Sequence, residues 1–357
     1  MKTHFLGKVA AVFSGILITL GCSSKTAEYK NPVWKSGGIT SLETITLGGV
    51  PHSVLIRGTD INLPVLLVIH GYAVPMMPFA HLDNPDKALS LENKFIVVHY
   101  DQRGVGKTAR HKSPDDSYKA DQFVSDAEEL TAILRKRFNR KKIVILGISW
   151  GSMIGMKLAQ KHPDWFHAFI SEGQMVYLPE SYGQAKEFSV ENAKIENNTD
   201  ALKELSKVSV PDKNNPLDQN IRDIDSIIKW LDYYQQKKYK LRDLKKLFFA
   251  SIWAAPEYTF LDFLSTLSSI KTFTRATTQE LLGIDMRKEV PAVQIPVYFI
   301  MGEHDIMLFA GKNYFDLIKA PKKEWIVIKN AGHAASADQP EDVQKLYFEK
   351  IFPEIIK

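Results

Sequence analysis

Six short runs of nearly uninterrupted apolar residues constrain the fold of this chain more than any other feature. They are Pro64-Val-Leu-Leu-Val-Ile69, Phe95-Ile-Val-Val-His-Tyr100, Lys142 to Leu146, Ala168-Phe-Ile170, Val297-Tyr-Phe-Ile300 and Trp325-Ile-Val-Ile328. A strand with one wet face alternates apolar and polar residues, whereas a continuous run is a strand covered on both faces, as in a parallel sheet. Helical periodicities lie between the runs. Phe123 to Phe138 places Val124, Ala127, Leu130, Ile133 and Leu134 on one stripe, and Met153 to Gln160, Lys312 to Ile318 and Pro340 to Ile351 supply the others. Strand and helix in alternation predict an α/β protein with a mostly parallel, doubly wound sheet. Ahead of it, the alternating segments around Gly48-Gly49, from Ile39 to Arg57, predict a β-hairpin.

The rhythm breaks once. From about Tyr177 to Val290 there is no buried-strand run, but there are helical patterns and many aromatics, among them Trp230, Phe248, Phe249, Trp253 and Phe260. The expected organisation is therefore a core of residues 39–176 and 290–357 with a helical cap, 177–289, inserted between two strands. At 357 residues with 45% hydrophobic content, the chain has the material for one large core with such an insertion. The formal charge of +5 includes Lys2 and Lys8 from the first 21 residues, so the rest is too mildly basic to point to nucleic acid.

The N-terminus reads as an export signal, residues 1–21. Lys2 and Lys8 give a positive start and Val9 to Leu20 an apolar run of 12 residues, short of the roughly 20 needed to span a bilayer. The run ends at Leu20-Gly21-Cys22-Ser23-Ser24, which resembles the lipobox of bacterial lipoproteins, with Thr19 where that motif favours Leu. The resemblance implies lipidation of Cys22, a polar tether over residues 22–38 and a membrane partner reached through the anchor. The alternative is a soluble exported protein. Cys22 is the only cysteine, so no disulfide forms within the chain.

The chemistry concentrates where the third run meets a helical pattern, at Gly147-Ile-Ser149-Trp-Gly151. A serine on a sharp strand-to-helix turn needs glycine two residues to either side, because side chains there would collide. The turn exposes Ser149 at the start of a helix, where the Trp150 amide is free to stabilise an oxyanion. A hydroxyl is a weak nucleophile and needs a base and an acid to orient that base. The turn after the fifth run holds Met301-Gly-Glu-His-Asp305, and the one after the sixth holds Asn330-Ala-Gly-His333. Both follow strands, so Asp305 and His333 are expected at the same sheet edge as Ser149, with Glu303 as the rival acid. A second oxyanion donor is expected from His70-Gly71-Tyr72, through the Tyr72 amide. His162 is read as a helix cap and His70 as a structural hydrogen-bonding residue of its loop, while His304 adjoins the acid.

Gly104-Val-Gly106-Lys-Thr-Ala109 imitates a dinucleotide loop, but Pro114 follows and there is no apolar stripe, so no helix is expected to receive a pyrophosphate. No Cys/His cluster or His-Glu-x-x-His pattern supports a metal. No cofactor is expected.

Asp101-Gln-Arg-Gly104 and Gly147-Ile-Ser-Trp-Gly-Ser152 are similar to paired motifs of the prolyl aminopeptidase (proline iminopeptidase) group, within the α/β-hydrolase superfamily. At the oxyanion turn the group has His-Gly-Gly-Pro-Gly where this chain reads His70-Gly-Tyr-Ala-Val. The resemblance implies an α/β-hydrolase fold and a serine aminopeptidase that acts through an acyl-enzyme on small peptides. A lipid-anchored carboxylesterase is the alternative, and a non-catalytic binding protein of the same fold is the second. Glu172, just past a strand end, is a candidate carboxylate for a substrate amine if the chain is an aminopeptidase, with a surface or cap-hinge role as the alternative; Glu180, Glu187 and Asp262 in the cap are further acids that the sequence does not rank.

Overall fold

The computed structural model describes residues 37–83 and 89–356. The expected signal peptide, Cys22 and residues 22–36 of the tether lie outside the described residues.

Eight strands form one sheet in the order β1-β2-β4-β3-β5-β6-β7-β8. β1 (Ile39–Leu47) and β2 (Val50–Gly58) make the expected hairpin, and β2 joins β4 (Ile96–Tyr100) antiparallel. From β4 onward every pairing is parallel, through β3 (Val65–Ile69), β5 (Ile143–Ile148), β6 (Phe166–Glu172), β7 (Val297–Gly302) and β8 (Lys323–Ile328). Continuous apolarity reflects two-sided burial. Val65, Leu67 and Ile69 enter one core cluster with Phe123, Leu130 and Trp150, while Leu66 and Val68 enter the other with Tyr347 and Phe352.

α1 (Ala120–Arg137) buries Phe123, Val124, Ala127, Leu130 and Leu134. Ile133, expected on that stripe, is 37% exposed. The row through Phe123, Ala127, Leu130 and Leu134 is the one that meets the sheet, and Ile133 lies beyond its edge. α2 (Trp150–Lys161) starts at the serine turn. Residues 178–289 carry α3 (Leu178–Ile195), α4 (Thr199–Leu205), α5 (Leu217–Tyr239), α6 (Leu244–Ala254), α7 (Phe260–Leu281) and α8 (Met286–Glu289), with no strand among them. After β7 come α9 (Leu308–Leu317), α10 (Ala335–Asp338), α11 (Pro340–Lys345) and α12 (Phe352–Ile355). The last predicted helix is thus interrupted: residues Leu346–Ile351 form a π-helical turn that leads into Phe352-Pro353. A proline lacks the amide that the ladder needs, which accounts for a disturbed geometry on its N-terminal side.

The segment that imitates a dinucleotide loop opens no helix longer than the 3-10 turn Thr108–Arg110. Its neighbour Arg103 is fully buried, and its Nε and Nη2 donate to the two carboxylate oxygens of Asp126 on α1, each at 2.7 Å. Burial alone would push Asp126 up, but His52 and Arg103 outweigh it and hold the carboxyl below its ordinary range. Arg103→Ala strands that charge and is expected to cost about 3 kcal/mol or more, read as a lower urea midpoint with an unchanged slope. An unshifted midpoint would show that the pair does not carry the β4 turn.

Candidate active site

At the end of β5 the backbone turns through Ser149 at φ 53° and ψ −116°, a left-handed conformation that costs a non-glycine residue energy. The surroundings hold it there. The Ser149 amide donates to the Glu172 carbonyl at 2.8 Å, and the Ser152 hydroxyl donates back to the Ser149 carbonyl while it accepts from the Met175 amide at 2.9 Å. A Cβ on Gly151 would overlap the Ile69 carbonyl, and one on Gly147 would sit 2.5 Å from the Gly151 carbonyl oxygen. Both positions therefore accept only glycine.

The carboxyl ends of β5, β7 and β8 bring Ser149, Asp305 and His333 into one hydrogen-bonded line. His333 Nδ1 lies 2.9 Å from Asp305 Oδ1, and His333 Nε2 lies 2.7 Å from Ser149 Oγ. With the Nδ1–H donated to Asp305, Nε2 keeps a lone pair for the serine proton. Asp305 is buried and also accepts from the Met307 amide at 2.8 Å, which fixes its rotamer. Burial pulls the imidazole down, but the Asp305 and Glu172 carboxylates outweigh it and hold His333 above its ordinary value. Glu303 points elsewhere: it accepts from Lys329 Nζ at 2.7 Å and from the Asn330 amide at 3.1 Å. His304 stacks on Tyr239 at 3.5 Å, and His162 is held between Glu128 and Trp165.

Tyr72 and Trp150 border the same cavity as Ser149 and His333. The amides of both residues find no backbone acceptor among the described residues. The turn that bears Tyr72 is wired to the serine helix through Gln102. His70 Nδ1 donates to the Gly71 carbonyl at 2.7 Å, leaving Nε2 to accept from the Gln102 amide at 3.0 Å. The Gln102 side chain donates to the His70 carbonyl at 2.9 Å and accepts from the Trp150 indole at 2.8 Å. Burial brings His70 down to about 4, so it stays neutral and structural, as expected. Sequence reasoning did not foresee the bridging roles of Gln102 and Ser152, although both lie inside the motifs that stood out.

Glu172 is not brought to the cavity. Its side chain is buried behind His333, where Oε1 accepts from the Ser336 amide at 2.7 Å and Oε2 faces the Tyr347 hydroxyl at 3.4 Å. Burial pushes its carboxyl up. The expectation that it meets a substrate amine is therefore corrected: it is the last residue of β6, and its side chain turns toward the layer that holds Tyr347. Asp262, another acid named from the sequence, is held by Lys107 at 2.7 Å and Arg110 at 3.1 Å, and Glu180 by Arg287 at 2.9 Å.

The cavity itself has a volume of about 210 Å³ and is roofed by α3, α5 and α7 through apolar side chains such as Tyr182, Ile224, Ile228 and Leu281. Asp225 on α5 is the one carboxylate in its lining among the described residues. The apolar surroundings push Asp225 up, with Lys245 opposing. Sequence reading passed over this residue because Ile-Asp alternation on an amphipathic helix reads as an ordinary face boundary. Among the described residues no group of three or more His, Cys, Asp and Glu side chains could hold a metal ion.

Comparison with known proteins accords with this geometry. A Bacillus subtilis (strain 168) protein named as a probable aminopeptidase, YbaC, is 25% identical over 307 residues, 85% of this chain and 93% of that protein. A Leptolyngbya boryana protein named as a probable proline iminopeptidase is 35% identical over 72 residues, 20% of this chain and 21% of its own length. The solved proline iminopeptidase of Mycobacterium smegmatis superposes with a TM-score of 0.59 at 18% identity, over 88% of this chain and 99% of that one. The model of the family described as the alpha/beta hydrolase fold matches residues 64–340, and with its eight-stranded sheet the chain belongs to that family and resembles its prolyl aminopeptidases.

Proposed function

We propose that this α/β-hydrolase is a serine aminopeptidase that works through an acyl-enzyme and releases apolar N-terminal residues from small peptides. The observation that carries the reading is the Ser149, His333, Asp305 line at the floor of an apolar cavity with a single acid in its wall. Ser149 Oγ attacks the carbonyl carbon as its proton passes to His333 Nε2. The tetrahedral oxyanion is met by the Trp150 and Tyr72 amides. His333 then returns the proton to the departing amine, and a water repeats the sequence to free the acid. Asp225 supplies the countercharge for the substrate ammonium, whose desolvation in such a cavity would otherwise be prohibitive. The probable-aminopeptidase name of the full-length relative is in keeping with this reading. The almost wholly apolar lining favours a second reading, a carboxylesterase of small acyl esters.

Three measurements test these assignments. Ser149→Ala is expected to reduce turnover on the order of 10⁴-fold and to end labelling by a fluorophosphonate; near-full activity would refute the serine mechanism. Asp225→Asn should raise KM for amino-acyl arylamides and leave N-blocked esters unaffected. Faster turnover of N-blocked esters by the parent protein, with Asp225→Asn silent, would establish the esterase reading instead.

Catalysis needs neutral His333. Because its folded-state value is raised, the acid limb of kcat/KM should lie above the ordinary histidine value of 6.5 and activity should fall as pH drops through it. Glu172→Gln removes one of the charges that raise it, so the limb should move to lower pH while KM for an amine substrate holds. A limb that stays put with a raised KM would return Glu172 to substrate binding.

A further inference from the structure

Five large apolar side chains lie open on one part of the helical insert: Phe249 and Trp253 on α6, and Phe260, Leu261 and Leu264 at the start of α7, each 43–59% exposed. They are contiguous. Buried Phe263 has ring contacts with Phe249, Trp253 and Phe260, at centroid separations of 6.4, 6.0 and 6.4 Å. Scattered apolar residues on a surface need no explanation, but a joined aromatic and leucine face does.

The exposed charges of α6 and α7 themselves are basic. Between Leu244 and Gln279 the acids Glu257 and Asp262 are buried, whereas Lys245, Lys246, Lys271 and Arg275 are exposed, Lys245 and Arg275 being paired with Asp232 and Asp218 of α5. An apolar face rich in Trp, Phe and Leu with a basic margin is the composition of elements that lie in a membrane interface. The margin complements anionic headgroups. The sequence also says how far such a surface would be. Lipidation at Cys22 would leave residues 23–38 as the link to β1, and 16 residues reach at most about 55 Å. A link of that length holds a weakly docking face at high effective concentration against the bilayer to which it is anchored.

We propose that the α6–α7 face docks on an anionic phospholipid surface. Among the described residues no helix is long and apolar enough to cross a membrane, so the contact is interfacial. α7 carries this face at one end and lines the cavity at Thr274 and Thr278, about 20 Å along the same helix. Docking therefore sets the orientation of the cavity to the bilayer.

The test uses the full chain with Leu261→Cys carrying an environment-sensitive fluorophore, in vesicles of equal parts phosphatidylcholine and phosphatidylglycerol. Label taken up by the parent chain, whose one cysteine is Cys22, is subtracted. The same label at Lys136→Cys, at the far end of α1, is the reference. The expected result is a blue shift and a roughly threefold or greater loss of quenching by aqueous iodide at Leu261 alone. Adding Phe260→Glu and Leu264→Glu should abolish both, with the melting temperature and the hydrolysis of a soluble ester unchanged. Equal iodide access at the two positions would overturn the proposal. So would shielding at Leu261 without vesicles: in a species of twice the mass the face pairs two copies, and in a monomer the chain's own N-terminal residues cover it.

Discussion

Gln102 holds three elements at once. Its amide meets the His70 ring, its side-chain amide meets the His70 carbonyl, and its side-chain oxygen takes the Trp150 indole proton. β4, the turn after β3 and the first residue of α2 are thereby locked by groups that are all buried. An unmet donor or acceptor at that depth costs a sizeable fraction of a domain's net stability, so the network tolerates little displacement. Its neighbours extend the same logic outward: Arg103 secures α1 through Asp126, and Asp101 accepts the Tyr258 hydroxyl and the Lys107 amide, which ties the insert to the sheet. The strained Ser149 is stable because this frame and the two neighbouring glycines leave its backbone no other path.

Much of this was legible in the residues. Runs that are apolar without alternation announce strands covered on both faces, and the core clusters divide the first five of them in that way, while in the sixth, the edge strand β8, only Ile328 is buried. Ser149, Asp305 and His333 each follow such a run, which is why one sheet edge could be expected to gather them before any distance was known. Boundaries were less accessible. β6 extends from Phe166 to Glu172, although only Ala168-Phe-Ile170 reads as apolar, because Ser171 and Glu172 take part in pairing without adding hydrophobic signal and His167 bulges between the paired Phe166 and Ala168.

The misreading of Glu172 and the oversight of Asp225 share one cause. Position along the chain places a residue at the end of a strand or on a helix, but not the side toward which it leans once neighbours pack around it. Glu172 stands at the reactive edge and points away from the cavity, toward Ser336 and Tyr347. Asp225 sits far from every motif and enters the lining because α5 crosses above the edge. A charge on an amphipathic helix looks the same in sequence whether it faces water or a cavity mouth. Only the packing of the insert separates the two.

Tyr72 stands where the motif of the prolyl aminopeptidase group has glycine, and its side chain is held by α2 and α7 while it borders the cavity. Its hydroxyl meets Thr277 Oγ1 at 2.7 Å, and its ring packs edge-on against Trp150 and Phe273. In the proposed mechanism, the peptide that offers an amide to the reacting oxygen and the wall that limits what fits beside it thus belong to a single residue. Selectivity and rate cannot be tuned independently at this position: trimming the ring to admit a bulkier group also frees the backbone from α7. Ile224 and Ile228 border the same space from α5 and have no part in that turn, so an evolving or redesigned lineage could vary its substrate range there without unsettling the chemistry.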